Sequence, residues 1–88
     1  MATEWIDADS TNLKRFKYEP DLEILVIEFQ NDKMYYYYDV PQKIFDDLSK
    51  VSSKGKYFAT NIRYNFHYVE SKSLIKEINS YMDNHKTS

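Results

Sequence analysis

The chain has 88 residues, a formal net charge of −2 and no cysteine. That length allows one domain with a thin core, and the missing thiols exclude disulfide staples, thiolate metal ligands and a cysteine nucleophile. Nine Tyr, five Phe and one Trp must then supply much of the core, while one Gly and two Pro exclude low-complexity or collagen-like sequence.

The charge is unevenly spread. Residues 21–47 hold seven acids against Lys33 and Lys43, a net of −5. Residues 48–69 hold Lys50, Lys54, Lys56 and Arg63 with no acid, a net of +4. The field of that basic segment says more about partners than the total does. The first residues do not read as a charged-then-apolar leader, and the longest apolar run, Ile24 to Ile27, is too short to span a bilayer. A soluble cytoplasmic protein with no membrane contact is expected.

Residues 1–9 show no clear period and read as a lead-in, with Trp5 and Ile6 as candidate anchors. Residues 12–18 place Leu13 and Phe16 in a first strand, and Glu19-Pro20-Asp21 signals a turn. Residues 22–29 are the clearest strand. Leu25, Ile27 and Phe29 line one face, and Leu22, Ile24 and Val26 the other until Glu28, as in a central strand covered on both sides. Gln30 to Lys33 is a hairpin signal, since Asn and Asp tolerate positive φ.

The returning strand, residues 33–39, carries four consecutive tyrosines. Side chains alternate along a strand, so Tyr35 and Tyr37 share one face and Tyr36 and Tyr38 the other. Each face must meet a helix, another chain or a ligand. One reading is a stacking platform for bases. The other packs one pair under the helices and leaves the other pair at an edge or a dimer contact.

From Pro41 the period changes to helical, with Ile44, Phe45, Leu48 and Val51 on one stripe. Asp39 precedes this helix, where its charge suits the positive end of the dipole. Ser52-Ser53 offers a cap for a second helix over residues 54–63, with Tyr57, Phe58 and Ile62 turned inward. Residues 64–69 alternate Tyr64, Phe66 and Tyr68 against Asn65, His67 and Val69, as in a fourth strand. Ser71 or Ser73 can cap a last helix with the stripe Leu74, Ile75, Ile78, Tyr81 and Met82. The fold expected is α+β: a three- to four-stranded antiparallel meander packed with two central helices plus a C-terminal helix.

Residues 50–63 carry the strongest functional signal. Ser53, Lys54, Gly55 and Lys56 stand at a helix start, where free N–H groups suit phosphate. Tyr57, Arg63 and Tyr64 extend that set toward stacking and further phosphate contact. The spacing is not that of a P-loop, and an ordinary capped helix with solvated lysines fits the same residues. His67 and His85 lack metal-ligand spacing, and the adjacent Asp46 and Asp47 diverge on a helix rather than forming an acid–base pair. No enzyme, cofactor or metal is expected. Two binding roles remain. One takes RNA or a nucleotide phosphate through residues 50–63. The other is a protein-interaction or homodimer surface using Tyr36, Tyr38, Ile78, Tyr81 and Met82.

The order of motifs resembles the KTSC domain family. It is carried by Ser10, Tyr18, Leu25, Phe29, Tyr35, Tyr37, Val40, Pro41, Phe45, Leu48, Ser53, Gly55, Phe58, Ile62 and Arg63, across about residues 10–64. This small module stands alone in bacterial and viral proteins and at the carboxy end of some lysyl-tRNA synthetases. The resemblance implies a β-meander with helices, and RNA binding through the association with the synthetases. Two positions depart from the pattern: Asp32 where the family has a turn glycine, and Ala59 where an asparagine follows the phenylalanine. Residues 1–9 then form a lead-in to a domain at 10–69, and residues 70–88 lie beyond it.

Overall fold

The computed structural model describes residues 2–71. The expected C-terminal helix, with Ile78, Tyr81 and Met82, lies outside them. Five strands form one antiparallel sheet in chain order: β1 (Ile6–Asp7), β2 (Leu13–Glu19), β3 (Ile24–Phe29), β4 (Met34–Tyr37) and β5 (Tyr68–Glu70). Between β4 and β5 run two helices, α1 (Gln42–Lys50) and α2 (Lys54–Asn61). This is the expected α+β meander with two helices, extended by a fifth strand. The extra strand comes from the lead-in, where Ile6 pairs with Phe16 and Asp7 with Arg15. Two residues are too few to show an alternating pattern. Trp5 is held beside this edge, 4.2 Å from the Arg15 guanidinium and 4.7 Å from the Lys17 ammonium.

β3 is the central strand. Tyr18, Leu25, Tyr37 and Tyr68 lie opposite one another in one cross-sheet row, and Phe16, Ile27 and Tyr35 in the next. Both rows face the helices. Phe45 of α1 stacks on Tyr18 at 5.0 Å and meets Phe16 edge-on at 5.9 Å. The opposite face carries Lys17, Val26, Tyr36 and Val69, with Arg15 donating to the buried Glu28 carboxylate.

Boundaries shift where the backbone leaves the pleat. β3 begins at Ile24 rather than Leu22, because Glu23 adopts φ 53° and the chain is still turning. Leu22 is left 65% exposed. The β3–β4 hairpin is a three-residue loop rather than a two-residue one. Asp32 N–H donates to the Phe29 carbonyl at 2.9 Å, Phe29 N–H to the Lys33 carbonyl at 2.8 Å, and only Asp32 has positive φ, at 66°. A type I turn closed by a left-handed residue has this form, which glycine also fills.

Asp39 does not serve α1 as expected. It takes φ 57°, and the N-cap is Pro41, with no acid in the first turn. The left-handed Asp39 reverses the chain so that Val40 N–H reaches the Glu23 carbonyl at 2.9 Å. Ser53 stands at the N-cap of α2 but makes no side-chain cap bond. After α2 the chain keeps turning, with Arg63 N–H on the Phe58 carbonyl and Asn65 N–H on the Ile62 carbonyl. The strand expected from residue 64 therefore starts at Tyr68.

One buried bond joins the sheet to the start of α1. The Tyr18 hydroxyl donates to the Val40 carbonyl at 2.6 Å, with both residues fully enclosed. Tyr18→Phe should lower the unfolding free energy by about 1–2 kcal/mol, since it strands a buried carbonyl. Urea denaturation checks this; an unchanged midpoint would show that the carbonyl finds another donor.

Candidate functional site

β4 settles the faces of the tyrosine run. Tyr37 is buried beneath the helices, edge-on to Phe58 at 5.6 Å, and Tyr35 shares its face. Tyr36 lies opposite Val26 and Val69 on the other side. Tyr38 follows β4, donating its N–H to the His67 carbonyl at 2.9 Å with its ring 5.9 Å from the imidazole. Tyr36 and Tyr38 are both half-buried.

β5 then adds Tyr68, whose ring lies 5.1 Å and 16° from Tyr35 and 5.3 Å from Tyr37. Phe29 meets Tyr35 and Phe58 edge-on at 5.2 and 5.4 Å. Offset and edge-on contacts of this kind suit the ring quadrupoles. Phe29, Tyr35, Tyr37 and Tyr68 line an open cleft of about 310 Å³. Its other walls come from three separate connections: Asn12 before β2, Asn31 and Lys33 in the β3–β4 hairpin, and Arg63 and Tyr64 after α2.

The cleft is polarised. The Arg63 guanidinium stands 5.8 Å from the Phe58 ring and 5.9 Å from the Tyr64 ring. Arg63 and Lys33 are exposed, and neither joins an ion pair among the described residues. Tyr64 is 86% exposed and Tyr68 47%. At the bottom, burial raises the Tyr37 hydroxyl well above its ordinary range. Tyr68 and Tyr35 push it the same way, against Arg63. That hydroxyl stays protonated.

Of the residues expected to act together at 53–64, all but Tyr57 fall into two places. Arg63 and Tyr64 line the tyrosine cleft, while Ser53, Lys54, Gly55 and Lys56 line a second cavity of about 360 Å³ with Ser10. Lys54 is engaged within the fold: its ammonium donates to the carbonyls of Ser49 and Val51 at 3.2 and 2.8 Å, closing the end of α1. The Tyr57 hydroxyl turns to Asp47, at 3.4 Å. The close approach that Gly55 permits is to the chain's own Ser10, whose hydroxyl would lie 2.9 Å from an added Cβ. Sequence reasoning did not assign Asn12, Asn31, Lys33 or Tyr68 to a site. For Tyr68 a signal existed, since alternation over residues 64–69 put it on the face of Tyr64.

The model of the KTSC domain matches residues 9–66, and the chain belongs to that family. A lysine–tRNA ligase of Nostoc sp. is 36% identical over 68 residues, covering 77% of this chain and 12% of the ligase. The corresponding ligase of Nostoc punctiforme gives the same figures. A protein of Tsukamurella paurometabola is 35% identical over 49 residues, 56% of this chain and 73% of its own length. The chain thus spans about an eighth of the ligases it matches. The solved structure of a KTSC domain protein from Yersinia pestis superposes with a TM-score of 0.74 at 24% identity, covering 80% of this chain and 97% of that one. No helix among the described residues is long and apolar enough to cross a membrane.

Two predictions follow from these contacts. Gly55→Ala should cost about 1 kcal/mol, because overpacking outweighs the helix propensity gained. The Ser10 hydroxyl cannot move freely, since it accepts the N–H groups of Asn12 and Leu13 at 3.1 and 3.2 Å. In a Ser10→Ala background the same change should be neutral or stabilising. Additive effects in that double-mutant cycle would refute the contact. The second concerns alkali. Tyr18, Tyr37 and Tyr57 all have raised hydroxyls, chiefly through burial. The unfolded chain releases these protons from about pH 10, before the folded chain does. Their stabilisation is complete below that pH and is lost as pH rises through the folded values. Chemical denaturation should show stability falling above about pH 10, less steeply in Tyr37→Phe.

Proposed function

We propose that this domain is a non-catalytic module that binds RNA in the tyrosine cleft, with Arg63 and Lys33 on phosphates. The observation that carries this reading is the pairing of two exposed cations, without ion-pair partners among the described residues, with the exposed rings of Tyr64 and Tyr68. Cations that track a phosphate backbone beside aromatic rings that take bases are the usual parts of such a site. The acids of residues 21–47 leave the cleft largely clear. Glu28 is paired with Arg15 on the opposite face, Asp32 with Lys14, and Asp47 with Lys43. Glu70, opposite Tyr35, is the acid nearest this platform in the sheet register. The matched ligases of Nostoc are named for an action on tRNA, which fits the same reading.

Purified protein should bind single-stranded RNA with an affinity that falls with salt. For two phosphate contacts the slope of log affinity against log salt is about −1.4. Arg63→Glu should weaken binding at least about tenfold, a typical loss for a charge-assisted contact, and Lys56→Glu far less. Loss in Lys56→Glu with retention in Arg63→Glu would move the site to the Ser10–Gly55 cavity. Absence of binding at low salt would end the RNA reading.

A further inference from the structure

Tyr68 stacks on Tyr35 at 5.1 Å and 16° and lies 5.3 Å from Tyr37, so the three rings cover much of one another's faces and Tyr68, 47% exposed, is the most accessible of them. Tyr64 lines the same cleft, nearly fully exposed on a turn whose backbone is already fixed. Asn65 N–H donates to the Ile62 carbonyl at 3.1 Å, and the Asn65 amide to the Asn61 carbonyl at 2.8 Å. With the backbone of the turn already fixed, only the two χ angles of the ring are ordered when something stacks on it. Within a duplex, base faces are covered by their neighbours, so only an unpaired base can present a face to these rings. The volume, about 310 Å³, lies at the small end of ligand sites and suits one nucleotide rather than a helix.

The polar rim fits that occupant. The Asn31 carboxamide oxygen already accepts the Lys33 N–H at 3.1 Å, which leaves its amide N–H groups for a base acceptor. Asn12 adds a second carboxamide at the rim. Arg63 and Lys33 come from different connections, so the backbone of a strand can be held on both sides of the stacked base. A two-ring base overlaps an exposed tyrosine ring more fully than a one-ring base does, and stacking strength is what sets preferences at sites of this kind.

We infer that the cleft holds one unpaired base of an RNA strand, stacked against Tyr68 and Tyr64, with neighbouring phosphates on Arg63 and Lys33, and that it prefers purines. This rests on the RNA-binding reading above and specifies which part of the RNA is recognised.

The test is fluorescence anisotropy with labelled single-stranded oligoribonucleotides of adenine or uracil, a blunt RNA duplex, and a strand of abasic sites. The adenine strand should bind several-fold more tightly than the uracil strand. It should exceed the duplex and the abasic strand by about tenfold or more. Tyr64→Ala and Tyr68→Ala should each weaken the adenine strand about tenfold and leave the salt slope unchanged, while Tyr68→Phe retains binding. Trp5 lies by the opposite edge strand beside Arg15 and Lys17 and reports the folding of each variant. If Tyr68→Ala unfolds, the exposed Tyr64→Ala still decides. Equal affinity for the duplex or the abasic strand, or full binding by Tyr64→Ala, would overturn base stacking and leave phosphate binding standing. Equal affinity for uracil would overturn the purine preference. No binding by any strand at low salt would overturn both readings.

Discussion

The seating of Phe45 and Phe58 on the sheet decides the rest of this structure. A chain of 88 residues without a disulfide has little apolar area to spare, and these two rings dock the two helices. Phe45 stacks on Tyr18, and Phe58 wedges edge-on between Phe29 and Tyr37. Burying a phenylalanine this fully is worth about 3–5 kcal/mol when judged by truncation to alanine, a large part of the stability of so small a domain. Because α2 is pinned by Phe58, the turn that follows it must emerge beside β4. That turn carries Arg63 and Tyr64. The position of the candidate site is a consequence of core packing.

The same pinning explains why the lysines at the start of α2 are less available than their sequence implies. To bring Phe58 onto the sheet, α2 has to start close to the connection between β1 and β2. Gly55 allows that approach, and the Ser10 hydroxyl occupies the space a side chain would take. The tight junction with α1 draws Lys54 onto the last carbonyls of the preceding helix. Favourable placement of a cation at a helix C-terminus thus competes with recruitment of phosphate to a helix N-terminus. In the folded chain Lys54 is committed to the former.

Most of the architecture was legible in the sequence, for identifiable reasons. β3 shows its apolar content on both faces, Asn31-Asp32 marks the hairpin, and the change of period at Pro41 marks α1. Local signals failed where long-range hydrogen bonds set the limits. Nothing near Leu22 indicates that Glu23 is held in the left-handed region by a chain reversal that ends at Val40. The site was only half legible. Alternation separated Tyr35 and Tyr37 from Tyr36 and Tyr38 but gave no sign of which pair turns inward, since that depends on where α2 lands. Proximity in sequence grouped Arg63 with Lys54 and Lys56. In space Arg63 belongs with Lys33 and Tyr35, residues from a hairpin that precedes both helices.

The cleft also grades from structural to available across a short distance, and this constrains how it can vary. Tyr37 is buried and serves the core, Tyr35 is half-buried, Tyr68 is about half exposed, and Tyr64 is almost free. A substitution at Tyr37 disturbs the seat of Phe58 and so the fold, whereas one at Tyr64 removes an exposed ring with little effect on packing. On the proposed RNA-binding reading, recognition changes at Tyr64, Arg63 and Lys33 while the aromatic floor stays fixed. The coupling also runs the other way: a ligand stacked on Tyr68 presses on the rings that hold α2. Binding should then stabilise the folded chain by an amount that grows with the logarithm of free ligand above its dissociation constant, because the unfolded chain has no such surface.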